Sequence, residues 1–359
     1  MKLSQYGYEF SEGMIAKYPT VNRDDARLMV LHRDTGEIEH RIFKDIIEYF
    51  DEKDMFVFND TKVFPARLIG CWEDSKGAVE VLMVAAAPES ETVKELVWNV
   101  IIGSGRKCRE GQVAVFGPNG ELKARLLEKL EGIGMWKVQF ECGRPLMDLL
   151  DEFGRTPVPP YVKREGTMEE EMLDRERYQT IYAEKVGSVA APTAGLHFTS
   201  EIFDALAAKG VERVSITLHV GPGTFRPVKA ENIEDHRMDF EAFEVSAEAA
   251  EAINRCKERG GRVFCVGSTT VRTLETVASR AENPEPLIVP GAGASDIFIY
   301  PPYTFKVCDC MLTNFHLPQS TLLMMVSALA GRERILCAYA FAVRKEYQFF
   351  SYGDCMLIV

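Results

Sequence analysis

Three histidines, His197, His219 and His316, each follow an apolar run by a few residues and stand among hydroxyl and amide side chains. Imidazole titrates near neutral pH, so a histidine at the mouth of a cleft can take up and release protons during a reaction. Five short polar segments recur in this setting: Asn59, Asp60 and Thr61; Thr193, His197 and Thr199; His219, Gly223 and Thr224; Ser268, Thr269 and Arg272; Asn314 and His316. Any one ring reads equally well as a partner for a loop carbonyl. Three together favour a polar cleft able to move protons. Gly267-Ser268-Thr269-Thr270 adds a turn whose backbone amides can face an anion, although an ordinary threonine-capped turn would look the same. Neither the spaced-glycine dinucleotide fingerprint nor a phosphate loop ending in Gly-Lys-Ser/Thr occurs, which argues against an NAD enzyme or an NTPase. Gly221-Pro222-Gly223 is read as tight backbone packing.

Strands and helices must hold these segments in place. Residues 54–60 form an apolar run stopped by turn formers, read as a buried strand entering a loop. Between residues 66 and 141 short strand-like runs follow one another, at 79–84, 96–102, 112–116, 122–127 and 135–140. Asn119-Gly120 between two of them is a hairpin signal. Five or six such strands predict a small inserted β-barrel or sandwich. Thr156 to Arg164 carries three prolines and reads either as a stiff spacer or as a groove lining, with Tyr161, Lys163 and Arg164 placing a ring beside two cations for RNA. Beyond it strands alternate with helices: strands at 186–191, 214–220, 263–266 and 355–359, and helices from Thr199, over 246–259, after Gly267 and over 320–330. That alternation predicts an α/β fold, a mostly parallel sheet flanked by helices. Residues 1–65 would give its first part, 66–155 the inserted all-β barrel domain, and 156–359 the remainder. Ligands of such sheets sit outside the carboxyl ends of the strands, where the polar segments fall.

Composition excludes some classes. The 359 residues carry a formal net charge of −12, which argues against coating nucleic acid through a bulk field but leaves room for a local basic patch. The longest apolar stretch, 322–330, is too short to cross a bilayer, and the first residues lack the apolar segment of a secretory signal. Nine cysteines, an odd number, suit free thiols in a reducing cytoplasm. Cys308 and Cys310 with His316 nearby suggest a metal site only weakly, and buried strand thiols are the preferred reading.

Longer blocks carry a resemblance. Residues 58–68 (FNDTKVFPARL), 157–161 (PVPPY), 177–182 (RYQTIY), 189–199 (VAAPTAGLHFT), 217–221 (TLHVG), 266–275 (VGSTTVRTLE), 313–318 (TNFHLP) and 349–354 (FFSYGD) are similar, in order, to the signature blocks of the S-adenosylmethionine:tRNA ribosyltransferase-isomerases of queuosine biosynthesis. The resemblance spans essentially the whole chain and implies a β-barrel inserted into an α/β domain. It also implies a reaction in which S-adenosylmethionine is consumed as a ribosyl donor. The ribosyl group passes to 7-aminomethyl-7-deazaguanine at the wobble position of tRNA with a GUN anticodon and is isomerised, giving epoxyqueuosine, adenine and methionine. No metal and no membrane enter that scheme, and a cytoplasmic setting and a monomer are favoured.

Such chemistry needs a base for the proton beside the sulfonium and an acid for departing adenine. On the resemblance, His197, His219 and His316 are the candidate proton-transfer residues. Phe198 and Tyr178 are candidate aromatic walls, and Asp60, Glu275 and Asp354 are candidate partners for positive charge. Arg67, Arg177 and Arg272 would meet the methionine carboxylate or tRNA phosphate. Asn59, Thr61, Thr193, Gly195, Gly223, Thr224, Glu241, Thr269 and Asn314 complete the expected substrate-binding set. The chain departs from the family pattern at Asp239 and Pro302, where histidine and glycine are usual, and at Lys62 and Gln348, where arginines are. Two other readings compete: a hydrolase with zinc held by the three histidines, and a non-catalytic RNA-binding protein.

Overall fold

The structure, a computed structural model, describes residues 1–87, 96–105, 107–221, 223, 228–281 and 286–359. Strands β1 (Arg27–Leu31) and β2 (Ile38–Ile42) pair antiparallel. Strand β3 (Met55–Asn59) is buried at every position, as a sheet covered on both faces requires. Its alternate residues part to the two faces. Phe56 and Phe58 enter an aromatic cluster on one side, Met55 and Val57 the larger core on the other.

After β3 the chain makes a short β4 (Thr61–Val63) and then six barrel strands: β5 (Arg67–Trp72), β6 (Ala78–Ala86), β7 (Val97–Ser104), β8 (Val113–Phe116), β9 (Leu122–Lys129) and β10 (Met135–Cys142). They close in the order β10-β7-β6-β5-β8-β9, so the all-β segment is a barrel and not a sandwich. Residues of β6, β9 and β10 alternate between buried and less buried positions, which fills the barrel with Val81, Met83, Leu126, Val138 and their neighbours. Helix α1 (Leu146–Phe153) adds Leu146, Leu149 and Leu150 to that core. The Pro157–Val162 connector then returns the chain to α2 (Met168–Arg177), whose start is fixed by a capping box of Thr167 and Glu170.

The expected strand at 186–191 is shorter and lies elsewhere. Strand β11 (Lys185–Ser188) pairs with β4 in a separate two-stranded ribbon, and residues 193–197 form a tight 3₁₀ turn. Pro192 and the close fit of Gly195 end the extended run: a Cβ on Gly195 would lie 1.8 Å from the Tyr182 hydroxyl. Helix α3 (Ser200–Ala208) starts from the Thr199 cap, as its sequence suggests. There follow β12 (Glu212–Leu218), β13 (Glu241–Val245), α4 (Ala247–Glu258), β14 (Val263–Val266), α5 (Ser268–Arg280), β15 (Gly291–Ser295), β16 (Cys310–Asn314), α6 (Thr321–Ala330), α7 (Arg332–Arg344) and β17 (Cys355–Ile358).

The main sheet runs β15-β13-β12-β3-β14-β16-β17-β1-β2. Its central strands β12, β3, β14 and β16 are parallel, while β17 runs antiparallel to β16. The carboxyl ends of four strands therefore share one edge with the lead-in to β17. No helix among the described residues is long and apolar enough to cross a membrane.

One buried carboxylate organises the far side of α5. Glu275 is fully enclosed and accepts from the Tyr303 hydroxyl and from the backbone amides of Lys306, Val307 and Cys308 at 2.9–3.2 Å. It holds the approach to β16 and is not available to a ligand's positive charge. Cys308 and Cys310 are buried on this approach, with the Cys308 thiol donating to the Cys310 carbonyl. Glu275→Ala would leave three amides unpaired in a dry site. Chemical denaturation should show a loss of at least about 3 kcal/mol of stability.

Candidate active site

At the shared edge lies a cavity of about 200 Å³. Its walls come from Ala190–Ala194, the β14–α5 turn at Gly267, Ser268 and Thr269, the β16 exit from Thr313 to Ser320, and Tyr161, Phe350 and Ser351. Among the expected site residues it gathers Tyr161, Thr193, Thr269, Asn314 and His316. Thr313, Gln319, Phe350 and Ser351 complete it and were not foreseen. The signal for the last two was the antiparallel turn of β17, which brings its lead-in to the edge where β16 ends.

Asn59 fixes the geometry at this edge. The chain leaves β3 at Asp60, and the Asn59 amide continues the ladder that the backbone abandons. Oδ1 accepts from the amides of Leu218 and Thr61, at 2.9 and 3.2 Å. Nδ2 donates to the Leu218 carbonyl at 2.9 Å and to Thr269 Oγ1 at 3.1 Å. One side chain thus ties the ends of β3 and β12 to the start of α5. Helix α5 begins at Gly267, whose φ of +84° suits only glycine, and has no side-chain cap. Its first turn opens on the cavity with its dipole uncompensated.

The three histidines part company. His316 lines the cavity, and its backbone is held by Tyr8 and Tyr339. Thr313 Oγ1 lies 2.6 Å from His316 Nε2 and 3.3 Å from the Asn314 carbonyl. Burial holds the His316 pKa down to about 3. His219 lies just past β12 with Nδ1 2.8 Å from Thr61 Oγ1, and its ring rests against Gly187. Burial lowers its pKa, with Asp60 opposing the shift. His197 is away from the cavity, its ring against Phe43 and its Nδ1 donating to the Arg23 carbonyl at 3.3 Å. Burial holds its pKa down to about 4. The histidines do not gather into a metal-binding group, and no cluster of three His, Cys, Asp or Glu does so among the described residues.

Most of the expected charged contacts are internal instead. Arg272 is buried against Glu241, which also accepts from the Gly221 amide. Arg164 forms a two-pronged pair with Asp174, both bonds 2.8 Å long, so it is not free for RNA. Arg177 donates to the carbonyls of Thr20 and Val21. Asp354 accepts from the amides of Arg27 and Gln348, and Asp60 from the Thr217 hydroxyl. Burial raises the pKa of both carboxyls. Phe198 is enclosed among Phe43, Phe56, Phe58 and Phe203, and Tyr178 is buried against Tyr352; neither forms a wall of the cavity. In each case burial removes a side chain that the sequence alone leaves unassigned between core and site. Arg67 pairs with Glu80 of the barrel and, with exposed Lys163, flanks a groove along the connector. Gly223 lies against the Asp239 carboxylate, and Thr224 falls outside the described residues. Lys62 and Gln348 are exposed, and Pro302 follows a cis peptide bond.

Comparison with known proteins decides the kinship. Residues 3–358 match the family described as queuosine biosynthesis protein. The chain belongs to that family. It is 49% identical over 359 residues to the S-adenosylmethionine:tRNA ribosyltransferase-isomerase of Caldanaerobacter subterraneus subsp. tengcongensis, covering all of both chains. It is 48% identical to that of Acetivibrio thermocellus, again with both chains fully covered. The crystal structure of the S-adenosylmethionine tRNA ribosyltransferase of Thermotoga maritima is similar at 35% identity and a TM-score of 0.55, covering 99% of this chain and 100% of that one. Within this queuosine biosynthesis family fold, the cavity at the sheet edge is the candidate active site.

Two outcomes test this account. Asn59→Ala, and equally Asn59→Asp, which presents an acceptor to the Leu218 carbonyl, should each cost about 2–4 kcal/mol in denaturant titrations. His197 and His316 stay neutral in the folded protein well below the ordinary histidine pKa of 6.5. Between about pH 6.5 and 4 only the unfolded chain binds these protons. The stability they protect is therefore full above pH 6.5 and falls with pH, on the order of 3 kcal/mol per ring by pH 4. His197→Asn keeps the donor to Arg23 but cannot titrate, so its melting temperature should decline less steeply over that window than that of the unsubstituted protein.

Proposed function

We propose that the chain is an S-adenosylmethionine:tRNA ribosyltransferase-isomerase acting in the cytoplasm. In this reading it consumes S-adenosylmethionine as ribosyl donor and delivers the isomerised sugar to 7-aminomethyl-7-deazaguanine in tRNA with a GUN anticodon. The products are epoxyqueuosine-tRNA, adenine and methionine. Full-length identity of 48–49% to proteins of that name carries the proposal, and the cavity supplies a physical place for the donor.

In this reading the uncapped start of α5 receives the methionine carboxylate, because unpaired amides and a helix dipole both favour an anion. His316 is too strongly depressed to carry a proton at neutral pH and acts there as a neutral hydrogen-bonding group. Proton transfer then falls to His219, which is partly exposed, oriented by Thr61 and influenced by Asp60. Lys163, exposed beside the connector, is the cation this reading offers to tRNA phosphate, with Arg67 across the groove paired to Glu80.

Incubation with S-adenosylmethionine and tRNA bearing the aminomethyl base should yield adenine, methionine and epoxyqueuosine together by mass spectrometry. A verified substrate that yields none of the three defeats the proposal. His219→Gln should lower kcat by roughly 100-fold or more with little change in KM.

A further inference from the structure

The geometry points to the cavity as the subsite for the neutral adenine ring of the donor, with Asn314 Nδ2 donating to a ring nitrogen. This rests on the ribosyltransferase reading and specifies where that donor's base sits. Three observations carry it.

First, Asn314 holds a donor in reserve. Thr193 Oγ1 donates to Asn314 Oδ1 at 2.8 Å, which fixes the amide so that Nδ2 points away from that bond. Nδ2 is buried without a partner, the only such buried side-chain atom in the cavity lining among the described residues. A buried orphan donor costs stability unless something pairs with it. Second, among the described residues no Asp, Glu, Lys or Arg lines the cavity. An ammonium-bearing base such as the aminomethyl-deazaguanine acceptor would need a carboxylate there. A neutral purine needs none. Third, the wall is aromatic and held under strain. Tyr161 stacks on Phe350 at 4.7 Å between centroids and 29° between planes, and its hydroxyl meets Ser351 Oγ at 2.7 Å. Phe350 adopts φ +70° and Gln319 φ +60°, so two of the four non-glycine residues in the left-handed region among the described residues line this one cavity. Such strain persists where surrounding structure imposes it and gathers at ligand sites.

His316 completes the polarity. Its Nε2 is engaged by the Thr313 hydroxyl at 2.6 Å, and in the tautomer that donates Nε2–H to Thr313 the Nδ1 lone pair is the ring's acceptor. A donor from Asn314 and an acceptor from His316 match a ring nitrogen beside an exocyclic amino group. They mismatch hypoxanthine, whose carbonyl replaces that amino group.

Calorimetric titration of the full-length protein with adenine, hypoxanthine and free 7-aminomethyl-7-deazaguanine tests this without turnover. Adenine should bind in competition with S-adenosylmethionine, and the other two at least tenfold more weakly. Asn314→Ala should weaken adenine binding and raise the KM for S-adenosylmethionine about tenfold, with a smaller change in kcat. Thr193→Val, which only frees the amide to turn, should show a lesser loss that Thr193→Ser restores, with thermal melts reporting the fold of each variant. The inference fails if adenine does not compete, if folded Asn314→Ala binds it as well as the unsubstituted protein, or if the aminomethyl base binds more tightly. Adenine that binds as expected to a protein that releases none from S-adenosylmethionine and substrate tRNA would defeat the functional reading and leave the subsite standing.

Discussion

The ladder that Asn59 continues is the constraint on which the edge of the sheet depends. Parallel strands must end somewhere, and where they end their backbone groups lose partners. At β3 the chain turns away at Asp60 to build the barrel, while β12 runs on to Leu218. The Asn59 amide takes the place of the missing peptide, satisfying both backbone groups of Leu218 and reaching Thr269. An asparagine does this because its side chain carries one donor group and one acceptor in the plane of an amide. The same four bonds thereby set where α5 starts, and with it the floor of the cavity.

Burial then sorts the remaining polar groups into those that build the fold and those left for a ligand. Arg164 with Asp174 and Glu275 with its ring of amides are closed systems, and Arg272 is held by Glu241 with only its buried Nε left unpartnered. A buried charge must be paired, so these residues were committed to internal partners. What stays open on the described lining of the cavity is uncharged: the Asn314 amide and the first turn of α5.

This sorting explains what was legible in the sequence. The barrel was readable from short strands and the Asn119-Gly120 turn, where Gly120 indeed takes φ +75° between β8 and β9. The α/β alternation was readable from Thr199, Ser246 and Ser320, each of which caps the helix expected after it. The short β11 was not, because Val186–Ala191 has the composition of a sheet strand and only the tertiary position of Pro192 and Tyr182 cuts it short. Nor could composition separate His316, which faces the cavity, from His197, which packs on Phe43: both follow apolar runs and both are buried. Charged residues misled most, since a signature arginine looks the same whether it waits for a phosphate or holds Glu241.

The absence of charge from the described lining of the cavity and the acidity of the chain bear on one question, how such a molecule meets RNA. With a net charge of −12, the molecule gains nothing from its overall field in approaching tRNA. Two of the arginines expected at the site, Arg164 and Arg272, are consumed by internal carboxylates. Recognition of RNA by such a protein must therefore rest on a few local contacts and on shape. The barrel and the proline connector suit that demand, because both are stiff. The connector fixes Tyr161 in the cavity wall and leaves Lys163 exposed two residues later. The segment that shapes the small-molecule cavity is thus continuous with the groove that Arg67 and Lys163 flank. The stack of Tyr161 on Phe350 is where the connector joins the cavity wall, so one stiff segment shapes both surfaces.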